Sequence, residues 1–303
     1  MTLAAFQTRF ESEEACRAHR EAVRWPHGPV CPACGVVRQA GRLRRNPAFL
    51  QCCDCGHQFS VTSGTALHAT KVPLCKWCTA ISLIASSSKR IAALRLADLI
   101  GVSAKTAWFM GHRIRAMMAG RDRLLRGIVE ADEAYLGGRK KPEEPHDPSA
   151  SKRGRGRGRA PMFVAVERGG EARAGLIASH TKEAIGGALR ASVDPGARLI
   201  SDGLPAYREP GRGFAAHDTV DHGRRRFAEG DAPVNTAEAF FGLFRRAVNG
   251  VWHHISRKHA NRYLHEMEWR WSRWNVVAAE RVDDILAAFA PPLGWSVLTE
   301  TAA

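Results

Sequence analysis

"VEADEAYLGG", residues 129–138, places three acidic residues within four positions of a strand-like stretch: Glu130, Asp132 and Glu133. Side chains alternate along a strand, so Glu130 and Asp132 face one side of a sheet and Glu133 faces the other. A carboxylate on a central strand is costly unless it pairs with a cation or coordinates a metal. The stretch therefore predicts a strand over 128–136 that carries a functional acid.

The three acids compete for that role. Asp132 is the preferred ligand. Glu130 shares its face and is either an alternative ligand or a partner that supports Asp132. Glu133 is expected to form a salt bridge on the opposite face of the sheet.

Two further acids lie downstream. Asp202 ends the apolar run ARLISD at the C-terminal end of a predicted strand, and Glu238 follows about 35 residues later at the start of an amphipathic helix. Ligand sites in open α/β sheets form at such strand ends. Two strand-borne aspartates and a helix-borne glutamate suit a ribonuclease H-like nucleotidyl transferase, in which the acids hold two divalent ions. Asp132, Asp202 and Glu238 are therefore the predicted catalytic ligands, and hard oxygen donors favour Mg²⁺ or Mn²⁺.

The sequence around these acids has the pattern of an α/β domain, in which short apolar runs alternate with helical segments. The fold class predicted is a ribonuclease H-like catalytic domain, a mixed sheet flanked by helices, preceded by a zinc ribbon and a helix-turn-helix. The predicted elements are an opening helix at 5–24, three or more helices within 71–118, strands at 128–136, 162–168, 173–179 and 197–202, a helix at 235–247 and further helices within 258–289.

Two Cys-x-x-Cys pairs precede this domain, Cys31 with Cys34 and Cys52 with Cys55. Each pair aims two thiolates at one ion, and a hairpin between the pairs closes a tetrahedron, so the pattern predicts one structural Zn²⁺ in a zinc ribbon. Four unligated buried thiols would not explain the doubled pattern. Cys53, next to a ligand, is expected to point away from the metal.

Residues 97–106 resemble a helix-turn-helix, with Gly101 in the turn and Ser103 placed to cap the second helix. The second helix of that motif enters the DNA major groove, and the predicted contacts are Lys105, Thr106 and Arg113. The alternative is a three-helix packing unit with a solvated basic face.

Charge supports a nucleic-acid partner. The 303-residue chain carries 45 Lys and Arg against 30 Asp and Glu, a formal net charge of +15, which favours a polyanion. Basic residues crowd the region after Glu238, and the predicted phosphate contacts are Arg245, Arg246, His254, Arg257 and Lys258. The arginine–glycine run at 152–159 is either a loop that follows DNA or a solvated loop.

Residues 12–275 resemble the DDE insertion-sequence transposases with an N-terminal zinc ribbon, bacterial relatives of the eukaryotic Merlin transposons. The motifs that carry the resemblance are CPACG, CCDCG, FSVTSGT, the Lys-Trp pair at 76–77, VEADEAYLGG, ISDGLPAY and the long stretch that begins VNTAEAFFGLFRRA. The departures leave the acids untouched, although Arg245 stands where the family usually has lysine.

The resemblance implies metal-dependent strand cleavage at terminal inverted repeats and joining of the freed 3′-hydroxyl to target DNA. Asp132, Asp202 and Glu238 would be the catalytic acids, and Asn235 is a further candidate for holding metal or DNA. A homo-oligomer is expected, because two element ends must be held together. The alternatives are a DNA-binding regulator with an inactive nuclease-like domain and a metal-dependent DNA nuclease.

These features predict an order of domains along the chain. The segments are an N-terminal helical segment at 1–28, the zinc ribbon at 29–66, the helix-turn-helix region at 67–120, the catalytic domain at 121–290 and a C-terminal tail at 291–303. No apolar run approaches the roughly 20 residues that span a membrane, and the N-terminus lacks a cleavable signal pattern. The expected location is the cytoplasm, in association with the nucleoid and not with a membrane.

Overall fold

The computed structural model describes residues 3–120, 123–137, 159–220 and 235–300. The helices are α1 Leu3–Arg9, α2 Glu13–Arg24, α3 Leu74–Ser86, α4 Ala93–Ile100, α5 Ala104–Met118, α6 Lys182–Ser192, α7 Arg208–Gly211, α8 Asn235–Ala247, α9 Ala260–Ser272, α10 Ala278–Ala287 and α11 Trp295–Thr299. The strands are β1 Ala40–Leu43, β2 Asn46–Cys52, β3 Gln58–Ser60, β4 Ile128–Leu136, β5 Ala160–Glu167, β6 Ala172–Leu176, β7 Arg198–Asp202 and β8 Ala216–Val220.

The contacts divide the chain into two compact units. The first comprises Met1–Gly120 together with Arg273–Ala303, and the second comprises Arg121–Ser272. Residues 273–290, expected in the catalytic domain, thus belong to the first unit. The reason is that α10 packs against α2 and α3.

The N-terminal helical segment is broken. One helix was predicted over 5–24, but the structure contains α1 and α2. Ser12 accepts a hydrogen bond from the backbone N–H of Ala15 at 3.1 Å and thereby caps a new helix. This side-chain cap competes with a continuous helix and explains the break.

The β1, β2 and β3 strands form an antiparallel sheet in that order. The hairpin of β1 and β2 lies between the two cysteine pairs, as predicted. Trp25, Leu50 and Phe59 are buried beside it. This small core is completed by two of the cysteines themselves, Cys31 and Cys52.

A buried arginine joins three parts of the first unit. Arg20 on α2 is 1% exposed and donates to the backbone carbonyls of Val61 at 3.4 Å and Leu286 at 3.1 Å. Burial lowers its pKa to about 9, with a further contribution from the charge of Arg24. Val61 directly follows β3 and Leu286 lies on α10, so Arg20 fixes both against α2.

The second unit is built on a five-stranded sheet of order β6-β5-β4-β7-β8. The β4 strand is antiparallel to β5 and parallel to β7, and β8 continues the parallel half. This is the mixed, ribonuclease H-like sheet that the sequence predicts. The strand predicted at 128–136 and the helix predicted at 235–247 are confirmed at those bounds.

Helices cover both faces of the sheet. Phe240 and Phe244 of α8 pack on one face with Leu264 of α9, and Ile185 and Leu189 of α6 pack on the other. Since β4 lies at the centre of the sheet, Asp132 is held on a strand with neighbours on both sides.

The edge of the sheet at β6 is covered by α9. Asn261 accepts a hydrogen bond from the backbone N–H of Leu176 at 2.8 Å, and Glu268 accepts one from the N–H of Ala174. These side chains occupy donors that would otherwise be open to pairing with another strand. Among the described helices, none combines the length and the apolar character that a membrane crossing requires.

Candidate active site

Strand register brings the two predicted aspartates to one edge of the sheet. The parallel pairing of β4 with β7 runs from Ile128 opposite Arg198 to Ala131 opposite Ser201. Asp132 is therefore the first residue of β4 past this pairing, and Asp202 is the last residue of β7. The carboxyl ends of parallel strands form ligand sites because their loops diverge there.

Three carboxylates meet at this edge. Asp132, Glu133 and Asp202 each offer an oxygen, and these oxygens lie within 4.8 Å of one another. The loop after β7 holds part of the group in place, since the backbone N–H of Leu204 donates to Asp202 at 3.0 Å and the hydroxyl of Tyr207 donates to Glu133 at 2.9 Å. The structure therefore brings Asp132 and Asp202 together, as the sequence predicts.

Glu133 differs from expectation. It was expected to form a salt bridge on the opposite face, but its carboxylate joins the two aspartates and binds Tyr207. Burial and the nearby charge of Asp202 raise its pKa to about 7, and Asp132 adds to the effect. Strand alternation fixes the direction in which a side chain leaves the backbone, but past the end of β7 a glutamate is long enough to turn towards the edge.

Glu238 stands apart from this group. It lies in the first turn of α8, is exposed, and is not among the acids whose oxygens lie within 4.8 Å of one another. Asn235 is the first residue of the same helix, and its side chain lies outside the described residues. The structure thus assembles two of the three predicted ligands.

Glu130 is not part of the acidic group either. It is fully buried and binds Arg168 and the start of α8. The sequence offered Glu130 as an alternative ligand, but in the structure its carboxylate oxygens accept hydrogen bonds from other residues of the protein.

His180 lies close to the acids and was not singled out from the sequence. Its ring stacks at a tilt on Tyr135, with 4.5 Å between ring centroids, and its buried Nε2 has no hydrogen-bond partner among the described atoms. Burial lowers its pKa against the opposing effect of the Asp202 charge. A single histidine in a loop has no local sequence pattern that distinguishes it, so only the fold reveals its position.

The acidic group fits a hard divalent cation. All of its donors are carboxylate oxygens, which Mg²⁺ and Mn²⁺ prefer. Burial is the largest cause of the raised pKa of Glu133, and the negative charges of Asp202 and Asp132 raise it further. A divalent cation between the carboxylates would offset that repulsion. Asp132 and Asp202 are thus suited to hold metal.

The four cysteines of the ribbon form a second candidate metal site. The Sγ atoms of Cys31 and Cys55 are 3.7 Å apart, as are those of Cys34 and Cys52. A tetrahedral zinc with bonds of about 2.3 Å requires an edge of about 3.8 Å, so this arrangement fits zinc. Burial disfavours the thiolate of Cys31, but backbone hydrogen bonds at Cys34 and Ala33, together with the side chains of Cys34 and Cys55, outweigh it and lower the pKa to about 7.

The turn at each cysteine pair explains this geometry. Gly35 and Gly56 have φ of 75° and 71°, which lets the chain fold back so that their N–H groups bond to the carbonyls of Cys31 and Cys52. Cys53 is exposed and outside the four-sulfur group, as predicted.

The predicted helix-turn-helix has the expected turn. Gly101 adopts φ of 62°, and Ser103 caps α5 by accepting from the N–H of Thr106 at 3.1 Å. Lys105 is exposed, with its ammonium 4.4 Å from the ring centroid of Trp295. Thr106 is half-buried.

Arg113 does not suit the predicted DNA contact. It is 8% exposed, lies against Phe109 and donates from Nε to the carbonyl of Leu293 at 3.1 Å. The segment after α10 covers this side of α5. Arg113, which the helical pattern predicted on the outer face, is therefore buried inside the first unit.

A basic groove lies in the second unit. It has a volume of about 990 Å³ and includes Arg159, Arg245, His253, His254 and Arg257 in its lining. The predicted phosphate contacts Arg245, Arg246, His254, Arg257 and Lys258 are all exposed. Residues 152–158 of the predicted DNA-following loop lie outside the described residues.

The groove begins at the acid-bearing strand. Tyr135 and Leu136 of β4 line it. Its other wall follows α8, where a turn of π-helix over Val248–Trp252 ends at His253 with φ of 57°. Such turns are often found at functional sites.

Two family models match the chain. Residues 124–272 match the ISXO2-like transposase domain, and residues 11–58 match the transposase zinc-ribbon domain. A protein in the transposable element ISH50 of Halobacterium salinarum is 32% identical over 250 residues, covering 78% of this chain and 83% of the relative.

Some solved structures show a weak likeness to this chain. A chain in the structure of the simian T-cell lymphotropic virus intasome in complex with the PP2A regulatory subunit B56 gamma is 12% identical with a TM-score of 0.27, covering 75% of this chain and 74% of that one. A chain of the Mos1 strand transfer complex is 13% identical with a TM-score of 0.27, covering 69% and 77%. At these TM-scores the likeness supports no conclusion about this chain.

Proposed function

The chain belongs to the ISXO2-like transposase family and is a DNA transposase, and from that premise we propose that it cuts its element at the terminal inverted repeats. The freed 3′-hydroxyl would then be joined to target DNA. The observation that carries this proposal is the meeting of Asp132 and Asp202 at the carboxyl ends of adjacent parallel strands.

Asp132 and Asp202 would hold two Mg²⁺ or Mn²⁺ ions, with Glu238 as the third acid and Asn235 as a candidate supporting ligand. When bound, such ions activate a water or a 3′-hydroxyl and stabilise the oxygen that leaves. The protein contributes rigid placement of the acids, because β4 and β7 are central strands of the sheet. The exposed side chain of Glu238 would turn towards the aspartates when metal and DNA bind.

DNA would lie in the basic groove, with the phosphates near the scissile bond bound by Arg245, Arg257 and His254. Arg246 and Lys258 are exposed nearby in sequence and would add to the attraction. Lys105 and Thr106 would contact the terminal repeat. One Zn²⁺ on Cys31, Cys34, Cys52 and Cys55 would hold the ribbon in its fold.

The test is a cleavage and joining assay on duplexes that carry the element's ends, with Mg²⁺ or Mn²⁺. Asp132→Asn and Asp202→Asn are each expected to lower the cleavage rate on the order of a thousandfold, because metal ligation supplies several kcal/mol of transition-state stabilisation. Binding of the ends should be retained.

A matched control is Asp218→Asn. Asp218 lies on the neighbouring strand β8 and pairs with Arg198 at 2.6 Å, outside the acidic group. The Asp218→Asn variant should cleave DNA at the rate of the unaltered protein. Tight binding without cleavage would indicate a DNA-binding regulator, and cleavage without joining would indicate a nuclease.

Two ends must be cut together, so the active form is proposed to be a homo-oligomer assembled on chromosomal DNA in the cytoplasm. The mass of the protein–DNA complex, measured by light scattering, tests this. One protein chain per end pair would contradict it.

A further inference from the structure

Glu130 is a buried carboxylate that touches both halves of the proposed active site. It lies on β4 two residues before Asp132, on the same side of the strand, and is 0% exposed. A buried charge is stable only when its hydrogen bonds are satisfied. The partners of Glu130 therefore indicate what it does.

Those partners include the start of the helix that carries Glu238. The backbone N–H of Thr236 donates to Glu130 Oε2 at 2.8 Å, its hydroxyl donates to Oε1 at 3.0 Å, and the N–H of Ala237 lies 3.4 Å from Oε2. The first N–H groups of a helix lack partners within it and carry partial positive charge. Glu130 thus supplies from β4 the cap of α8.

Arg168 completes the arrangement. Its Nη2 lies 3.1 Å from Glu130 Oε1, and its side chain remains 31% exposed. The N–H of Arg168 also bonds to the carbonyl of Ile128 at the start of β4. The carboxylate is therefore held from two directions, by a cation after β5 and by the end of α8.

We propose that Glu130 is a positioning residue that anchors the first turn of α8 to β4 and so sets the distance between Glu238 and Asp132. Glu238 directly follows the anchored residue Ala237, and Asp132 lies two residues from Glu130, roughly 7 Å along the strand. Any shift of the anchored turn moves Glu238 by nearly the same distance, since Glu238 lies only one helical residue, about 1.5 Å along the axis, beyond Ala237. This inference rests on the proposed function for the role of Glu238, but the anchor itself does not.

The test uses the full-length protein and Glu130→Gln, which keeps the size of the side chain and leaves Arg168 able to turn to solvent. Hydrogen exchange is measured without metal or DNA. Protection of the Thr236 and Ala237 amides should fall about tenfold, because glutamine keeps only one of the two acceptor oxygens and none of the charge that cap the helix. Mn²⁺ binding by calorimetry should weaken about tenfold, the lower end for loss of a group that orients a metal ligand.

The matched control is Glu266→Gln. Glu266 is 1% exposed and pairs with Arg270 on α9 at 2.9 Å, so it removes an equally buried charge elsewhere in the second unit. It should leave α8 exchange and Mn²⁺ binding unchanged. Thr236→Val removes the hydroxyl that donates to Glu130 and leaves Glu130 unchanged, so it should reduce amide protection about threefold. This variant tests the anchor independently if Glu130→Gln fails to fold.

The outcomes separate the two proposals. If Glu130→Gln changes α8 exchange no more than Glu266→Gln does, the anchor is wrong. If exchange rises but Mn²⁺ binding is unaltered, Glu130 caps the helix without positioning Glu238, which also overturns the inference. If the unaltered protein binds Mn²⁺ but never cuts DNA, the proposed function fails and the anchor stands.

Discussion

The zinc ribbon and the acidic edge, the end of the sheet where Asp132, Glu133 and Asp202 meet, are two candidate metal sites assembled in different ways. In the ribbon, residues close in sequence form each cysteine pair, and a single hairpin joins the pairs. The four sulfurs already lie within 4.8 Å of one another, and two of the distances between them are 3.7 Å. At the acidic edge the ligands come from a strand, a later strand and a helix, and Glu238 is not yet with the others. A site built from local turns is complete in the protein alone, whereas a site built across a domain leaves its last ligand to metal and substrate.

Removing the metal should affect the ribbon most. Loss of zinc, by chelation or by Cys34→Ser, should unfold the sheet of β1, β2 and β3, because structural zinc contributes about 10 kcal/mol to such folds. Hydrogen exchange of residues 40–60 measures this. Cys53→Ser is the control, since this neighbouring thiol is exposed and outside the site. Equal unfolding in both variants would contradict the assignment.

The next effect concerns the identity of the third acid. Glu238→Gln should lower the cleavage rate about a hundredfold, because it removes a ligand that stabilises the transition state. Glu133→Gln should lower it less than about tenfold, since Tyr207 already occupies part of that carboxylate. Single-turnover cleavage rates of the two variants show which glutamate is the third acid. If Glu133→Gln lowers the rate more than Glu238→Gln does, Glu133 is the third acid. The acidic edge would then already hold all of its ligands, as the ribbon does.

A smaller effect separates buried from exposed basic residues. Arg113→Met should lower the free energy of unfolding by about 2 kcal/mol, because it leaves the carbonyl of Leu293 without its donor. Binding of the element's ends by the folded variant should not change. Lys105→Ala should do the opposite, weakening binding with little loss of stability, as measured by thermal unfolding and by DNA titration. Loss of DNA affinity without loss of stability in Arg113→Met would restore the predicted contact.

The smallest effect should come from single charges in the groove. Arg257→Gln should reduce the slope of log affinity against log salt by about one, because one phosphate contact is lost. DNA titration at several salt concentrations measures this. Arg198→Gln should leave the slope unchanged, since Arg198 pairs with Asp218 and does not line the groove. Equal slopes for all three proteins would show that DNA does not occupy the groove.

The same contrast between local and distant contacts explains how much of the fold could be predicted. The bounds of β4 and α8 follow from alternation and amphipathic spacing within the segments themselves. The β8 strand, AHDTV, is short and polar, and it forms because β7 offers a free edge. The α6 helix contains two adjacent glycines, which weaken its local pattern, and it is stabilised by Ile185 and Leu189 against the sheet.

The candidate site divides in the same way. Asp132 and Asp202 could be predicted because strand ends are visible in the sequence. Glu133 and Arg113 could not be placed, since one depends on where β7 stops and the other on a segment that returns from far along the chain. Glu130 shows the limit most clearly, because its partner helix begins more than a hundred residues later.

The return of the chain to the first unit after Ser272 has an evolutionary consequence. The unit that carries the acids is spliced into its neighbour at two junctions, so it cannot be exchanged for another nuclease by one end-to-end fusion. A frameshift or stop codon just after Ser272 would spare Asp132, Asp202 and Glu238 and still remove α10, whose Leu286 carbonyl accepts a hydrogen bond from Arg20. Such truncated copies should fail first through collapse of the ribbon-bearing half.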